Sequence, residues 1–179
     1  MSTLHELRAT AHPLRLRLLS LLTGAAMSAA EAGRELGCSQ ASASYHLRVL
    51  ERAGLIRVVE VVRLRGGDAK RYRHESSAKR PEADADRSTL GEVGAGLSEE
   101  QTAYVEALID ELRRRSRHRV DGPHMSTDAE LWIDEDTWRR VVHHVREASA
   151  LLHAAARPPR TPRTSPVSMT AVLFPLAHP

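Results

Sequence analysis

Residues 36–55, LGCSQASASYHLRVLERAGL, decide the fold. Gly37 ends one helical run, and Ser39 is placed to cap the next. Ala43, Leu47 and Leu50 then fall at i, i+4 and i+7, which puts them on one face of a helix running to about Ala53, where Gly54 stops it. Upstream, Ser28 and Glu31 have capping-box spacing and predict a helix of about two turns to Leu36. A two-turn helix, a tight turn with a glycine and a longer helix form a helix-turn-helix arrangement. Further upstream, Leu14, Leu18, Leu21 and Leu22 repeat at helical spacing. They predict a helix from about Leu4 to Leu22, with Pro13 near a break or a new first turn and Gly24 closing it.

Downstream of Gly54, the run Leu55 to Leu64 is β-branched and interrupted by charge. Arg65-Gly66-Gly67-Asp68 and a short polar run through Tyr72 follow it. Gly-Gly between two extended runs is a hairpin signal. From Glu75 to Gly96 the chain is polar without apolar period and reads as a linker. Ser98 and Gln101 again have capping-box spacing. They precede an apolar stripe of Tyr104, Val105, Leu108, Ile109 and Leu112 that ends in Arg113-Arg114-Arg115, a run that suits a helix C-terminus. After Gly122-Pro123, the alternation of Ala129, Leu131 and Ile133 predicts a strand. Asp134 then caps a helix whose inward face is expected to hold Trp138, Val141, Val142, Val145, Ala148 and Leu152. Four prolines make Arg157 to Pro166 a loop, and Val167 to Phe174 reads as a second strand.

Charge is unevenly distributed. Residues 1–75 hold twelve Lys and Arg against seven Asp and Glu, a net +5, and the remainder holds fourteen against sixteen, a net −2. A basic N-terminal part attracts polyanions, with nucleic-acid phosphates first among them. Aromatics make up only 3% of the chain, so its cores are expected from Leu, Val, Ile and Ala. No stretch has the ~20 apolar residues of a bilayer span, which points to a cytoplasmic protein with no membrane partner. A single cysteine, Cys38, excludes an intrachain disulfide framework and a Cys-x-x-Cys site. It reads as a small turn residue. No phosphate-cradling glycine motif, His-Glu-x-x-His or Gly-x-Ser-x-Gly is present, so no enzymatic activity, catalytic residue or cofactor is expected.

Four stretches together resemble the bacterial ArsR/SmtB-type winged-helix repressors. They are Ala11-His12-Pro13-Leu14-Arg15-Leu16-Arg17-Leu18-Leu19, Leu36-Gly37-Cys38-Ser39-Gln40 with Ser44-Tyr45-His46-Leu47-Arg48-Val49-Leu50, and Ala53-Gly54-Leu55-Ile56. The resemblance covers about 70 residues. It implies a recognition helix at 39–53, a wing at about 56–74 and homodimerisation. The expected class is mainly α with small β parts: a winged helix-turn-helix domain at 1–75, a linker at 76–97, and a dimerisation-type helix with a small α+β (strand-helix-strand) module at 98–179.

With Ala43, Leu47 and Leu50 inward, a wheel at 100° per residue puts Ala41, Ser42, Tyr45, Arg48 and Arg52 on the opposite side. Docking by the first turns of the helix places Gln40, Ser42, Ser44 and Tyr45 nearest base edges, with Ser39 at the cap and Arg48 toward a phosphate. His46 lies at the border of the core face, either packed or touching DNA. On the wing, Arg65, Lys70 and Arg71 flank the Gly-Gly turn and are expected to meet phosphates or a minor groove. The thiolate pair of the family's metal sensors is absent, since Ser28 and Ala30 stand at the aligned positions, and the other sensor set finds no histidine on the 98–118 helix before His118. His143 or His144 with Glu147 reads as a solvated face, so no metal site is expected. The expected function is a repressor that binds duplex DNA as a homodimer. The rival readings are a metal- or redox-responsive sensor and a protein-interaction module that does not bind DNA. A small-molecule effector has room in the C-terminal half, but nothing names it.

Overall fold

The computed structural model describes residues 3–64, 67–74 and 97–176. In chain order the described elements are α1 (Thr3–Thr10), α2 (Pro13–Gly24), β1 (Met27–Ser28), α3 (Ala29–Leu36), α4 (Gln40–Arg52), β2 (Ile56–Leu64), β3 (Gly67–His74), α5 (Glu99–Ser116) and α6 (Glu135–Ala155). The expected first helix is therefore two. Proline at the first position of α2 cannot continue a preceding helix but suits a new start. His12 caps that start by accepting the Leu14 N–H on Nδ1 at 3.0 Å.

Both halves of the helix-turn-helix begin as the caps predict. The Ser28 hydroxyl accepts the Glu31 N–H at 3.3 Å, and the Glu31 carboxylate accepts the Ser28 N–H at 2.7 Å. Gly37 closes α3 with φ 67°, a conformation most side chains resist. Gly33 is constrained by crowding instead: a Cβ there would lie 2.9 Å from the Cys38 carbonyl oxygen, so α3 and the turn approach closely only because the side chain is missing. The core is aliphatic with one tyrosine. Leu18, Leu22, Ala32, Leu47 and Leu50 are fully enclosed, and Met27, Ile56 and Tyr72 of the sheet close the other side.

The wing is an antiparallel hairpin in a three-stranded sheet of order β1-β3-β2. Tyr72 opposes Val58 and Arg71 opposes Glu60, so Val59 is the extra residue of a bulge. The two-residue β1 pairs Met27 with Tyr72 and Ser28 with Arg71, which anchors the base of the wing. Such a short strand has no sequence pattern of its own.

The C-terminal half corrects two expectations. Helix α5 starts on its Ser98–Gln101 capping box and packs on α1 and α2. Its packed face runs through Gln101, Ala107 and Glu111, leaving Ile109 and Leu112 of the expected stripe exposed. The strands expected at 129–133 and 167–174 are not formed, and neither segment pairs with any other among the described residues. A strand is completed only by a neighbouring strand's backbone. Helix α6 forms on its Asp134 cap, yet none of its residues is buried: Trp138, Val142, Val145 and Leu152 are half-covered, and Val141 and Ala148 face solvent. The strand-helix-strand module is thus one helix flanked by two segments without regular structure. The expected linker at 76–97 lies outside the described residues except for Leu97. No described helix is long and apolar enough to cross a membrane.

Candidate nucleic-acid interface

Helix α4 presents two chemically distinct sides because its apolar residues recur with the helical period. Ala43, Leu47 and Leu50 are fully enclosed, whereas Gln40, Ala41, Tyr45, Arg48 and Arg52 are exposed, with Tyr45 at 57% of its surface. Ser42 and Ser44 are half-buried at the border. The Ser39 hydroxyl accepts the Ser42 N–H at 3.1 Å, so its first role is to cap the helix. Arg48 folds back along the helix, its Nε donating to the Ser44 carbonyl at 3.3 Å.

His46 is placed in the interior, not on the exposed side. It is 9% exposed and lies between the His12 ring, at 4.5 Å between centroids, and the Tyr45 ring, at 5.1 Å edge-on. Among the described residues its Nδ1 finds no hydrogen-bond partner, and nor does the buried Nε of Arg15, whose terminal nitrogen donates to the Arg8 carbonyl at 2.9 Å. Burial lowers the pKa of His46, and the nearby His12 and Arg15 lower it further. Burial first and Arg15 second lower that of His12. Both rings therefore resist protonation in the folded chain, and as the pH falls the unfolded chain takes up protons first. Stability is expected to be full above the ordinary histidine value of 6.5, to fall as the pH drops through it, and to level off once the native pair is itself protonated. Thermal unfolding at pH 7.5 and at pH 5.5 checks this. His12→Asn keeps a cap and removes one titrating ring, so it should show the smaller fall; equal falls in both proteins would assign the pH dependence elsewhere.

The wing residues separate in the same way. Lys70 is exposed on β3 opposite Val61, and Arg65 lies outside the described residues. Arg71 is not at the tip. It sits midway along β3, between Glu60 and Ser28, with its guanidinium donating to the Ala26 carbonyl at 2.6 Å and to Glu60 at 3.1 Å, and 3.5 Å from Glu31. It thus clamps β1, β2 and the start of α3 together, and Glu31 is held below the usual carboxylate range chiefly by the Ser28 N–H, with Arg71 adding to the effect. Sequence reasoning missed this because it counted Arg71 as near the Gly-Gly turn, although a hairpin of eight to nine residues per strand carries it away from the tip.

A capped, half-apolar second helix after a tight turn, with a two-stranded wing beside it, is the geometry of a DNA reader. Residues 10–59 match a family model described as a helix-turn-helix domain. The chain carries a winged helix-turn-helix domain. Such a domain marks a DNA-binding regulator. No curated protein matches the chain. The match runs from the end of α1 through α4 into the start of β2, and the rest of the wing and the segment from α5 onward lie beyond it.

Potential metal ligands are dispersed. His143 and His144 both reach Glu147, at 3.4 Å and 3.1 Å, on an exposed face of α6, and among the described residues no three His, Cys, Asp or Glu side chains gather as a metal site. Cys38 is a half-buried free thiol in the turn.

Proposed function

We propose that this chain is a homodimeric, sequence-specific transcriptional repressor that sets two α4 helices into successive major grooves of a near-palindromic operator, about 34 Å apart. The observation that carries this reading is the two-sided character of α4, with its apolar side locked into the core and Gln40, Tyr45 and Arg48 projecting from the other. In this reading Gln40 and Tyr45 contact bases, Ser42 and Ser44 line the approach, and Ser39 holds the first turn. Arg48 and, on the wing, Lys70 and Arg65 meet phosphates. His46 and Arg71 support the reading helix and the wing from behind. Residues 1–75 act as the DNA-binding domain, 76–97 as its linker and 98–179 as the dimerising part.

The test is binding to an operator recovered by selecting genomic fragments on the protein. Gln40→Ala and Tyr45→Ala should each cost about 1–3 kcal/mol on that operator and less on random duplex. Equal losses on both duplexes would show that neither side chain reads sequence, and affinity for no duplex at any salt would refute DNA binding altogether.

A further inference from the structure

Beyond α6 the chain turns back onto the winged domain. Arg157 lays its backbone against Gly24, the last residue of α2, so closely that a Cβ at Gly24 would stand 2.6 Å from the Arg157 carbonyl oxygen. Arg160 then donates to Glu35 in the last turn of α3, and the Glu35 side chain is left only 19% exposed. An acid near a helix C-terminus opposes the helix dipole, so Glu35 suits Arg160 better than it suits α3. The path of the chain through these contacts is fixed. Pro158, Pro159 and Pro162 restrict the backbone, and the Thr161 and Thr164 N–H groups close turns on the Pro158 and Thr161 carbonyls at 3.2 Å each. Arg160 and Arg163 hold φ of 62°, a conformation that arginine keeps only where its surroundings impose it. A segment stiffened in this way gives up little entropy on docking.

We propose that residues 157–163 are a strap that docks reversibly on the corner between α2 and α3 and couples the C-terminal half of the chain to the turn leading into α4. Glu35 lies two residues before Gly37, and the N–H groups of Gly37 and Cys38 both donate to the Gly33 carbonyl. A pull on Glu35 therefore acts on the same turn that positions Ser39, the cap of α4. The attachment can open because it is not part of a core. Pro158 stands across a cavity of about 240 Å³ from Ala25, Ala26 and Met27, and no residue of α6 is buried, so lifting the strap uncovers little apolar surface. What holds it is one ion pair and one close backbone approach, the first sensitive to salt and the second to a single methyl group.

Limited trypsin digestion of the full chain, with amide hydrogen exchange, tests this. Cleavage after Arg163 requires the strap to lift, whereas cleavage after the exposed Arg119 does not and serves as the internal reference. The wild type should be cut more slowly after Arg163 than after Arg119. Arg160→Ala replaces an exposed side chain and leaves the fold intact. It should speed cleavage after Arg163 by up to about fivefold relative to Arg119, the population shift expected for one partly exposed ion pair. Gly24→Ala changes no charge and should speed it by about tenfold or more. Both variants should also speed exchange of the Gly37 and Cys38 amides. Glu35→Lys should behave like Arg160→Ala, and combining it with Arg160→Glu should return both readouts toward wild type, which a purely local effect on α3 would not do. Raising the salt from about 0.05 to about 0.5 M should loosen the strap of the wild type and change the Arg160→Ala protein less. Cleavage after Arg163 that matches Arg119 in the wild type, or that none of these changes moves, overturns the strap. Faster cleavage with unchanged exchange at Gly37 and Cys38 overturns its coupling to α4.

Discussion

Leu47→Ala is expected to lower the stability of the helix-turn-helix by about 2–5 kcal/mol, the range for truncating a fully enclosed leucine. Leu47 has no exposed surface and belongs to the same enclosed cluster as Leu18, Leu22 and Leu50, so the cavity would open between α2 and α4. At roughly 4–8 °C per kcal/mol for a domain of this size, the midpoint of thermal unfolding should fall by about 8 °C or more. Leu47→Met nearly conserves volume and should cost less than about 1.5 kcal/mol. DNA affinity should fall with stability in the alanine variant, because Leu47 fixes the angle at which α4 leaves the core. A Leu47→Ala protein that melts within 2–3 °C of wild type would mean that α4 is anchored by something other than this cluster.

Arg114→Ala combined with Arg115→Ala should be similarly damaging, by about 3 kcal/mol, for an electrostatic reason. The Glu111 side chain is 3% exposed on the packed face of α5, held by Arg114 at 2.8 Å and by Arg115 at 3.4 Å. Removing both guanidinium groups leaves a carboxylate among α2 and α5 without its ion pairs, and the loss of solvation is then uncompensated. Adding Glu111→Leu to the double variant should restore most of the loss, since a buried ion pair replaced by an apolar side chain is often neutral or stabilising. Urea unfolding of wild type, double and triple variants decides the matter. A double variant within about 0.5 kcal/mol of wild type would show that Glu111 reaches water or another partner.

What the sequence determined by itself is the local punctuation and the inward side of each N-terminal helix. Ser28, Gly37, Ser39 and Gly54 act on backbone groups within a few residues of themselves, so the ends of α3 and α4 were legible without knowing what packs where. The enclosed Ala43, Leu47 and Leu50 followed from helical period, and the exposed Tyr45 and Arg48 followed from the same wheel. The tertiary structure alone decided matters that depend on residues far apart in the chain. His46 and Arg71 were candidates for DNA contact by position, but His12 and the Ala26 carbonyl, distant in sequence, turn one into a packed ring and the other into a clamp. Gln101 and Glu111, polar in sequence, are buried because α1 and α2 select that face of α5. The alternation read at 129–133 and 167–174 predicted strands that are not formed, because a pattern specifies only which side of a strand is apolar. Pairing needs another strand's N–H and C=O groups alongside, and the described residues of one chain do not supply them.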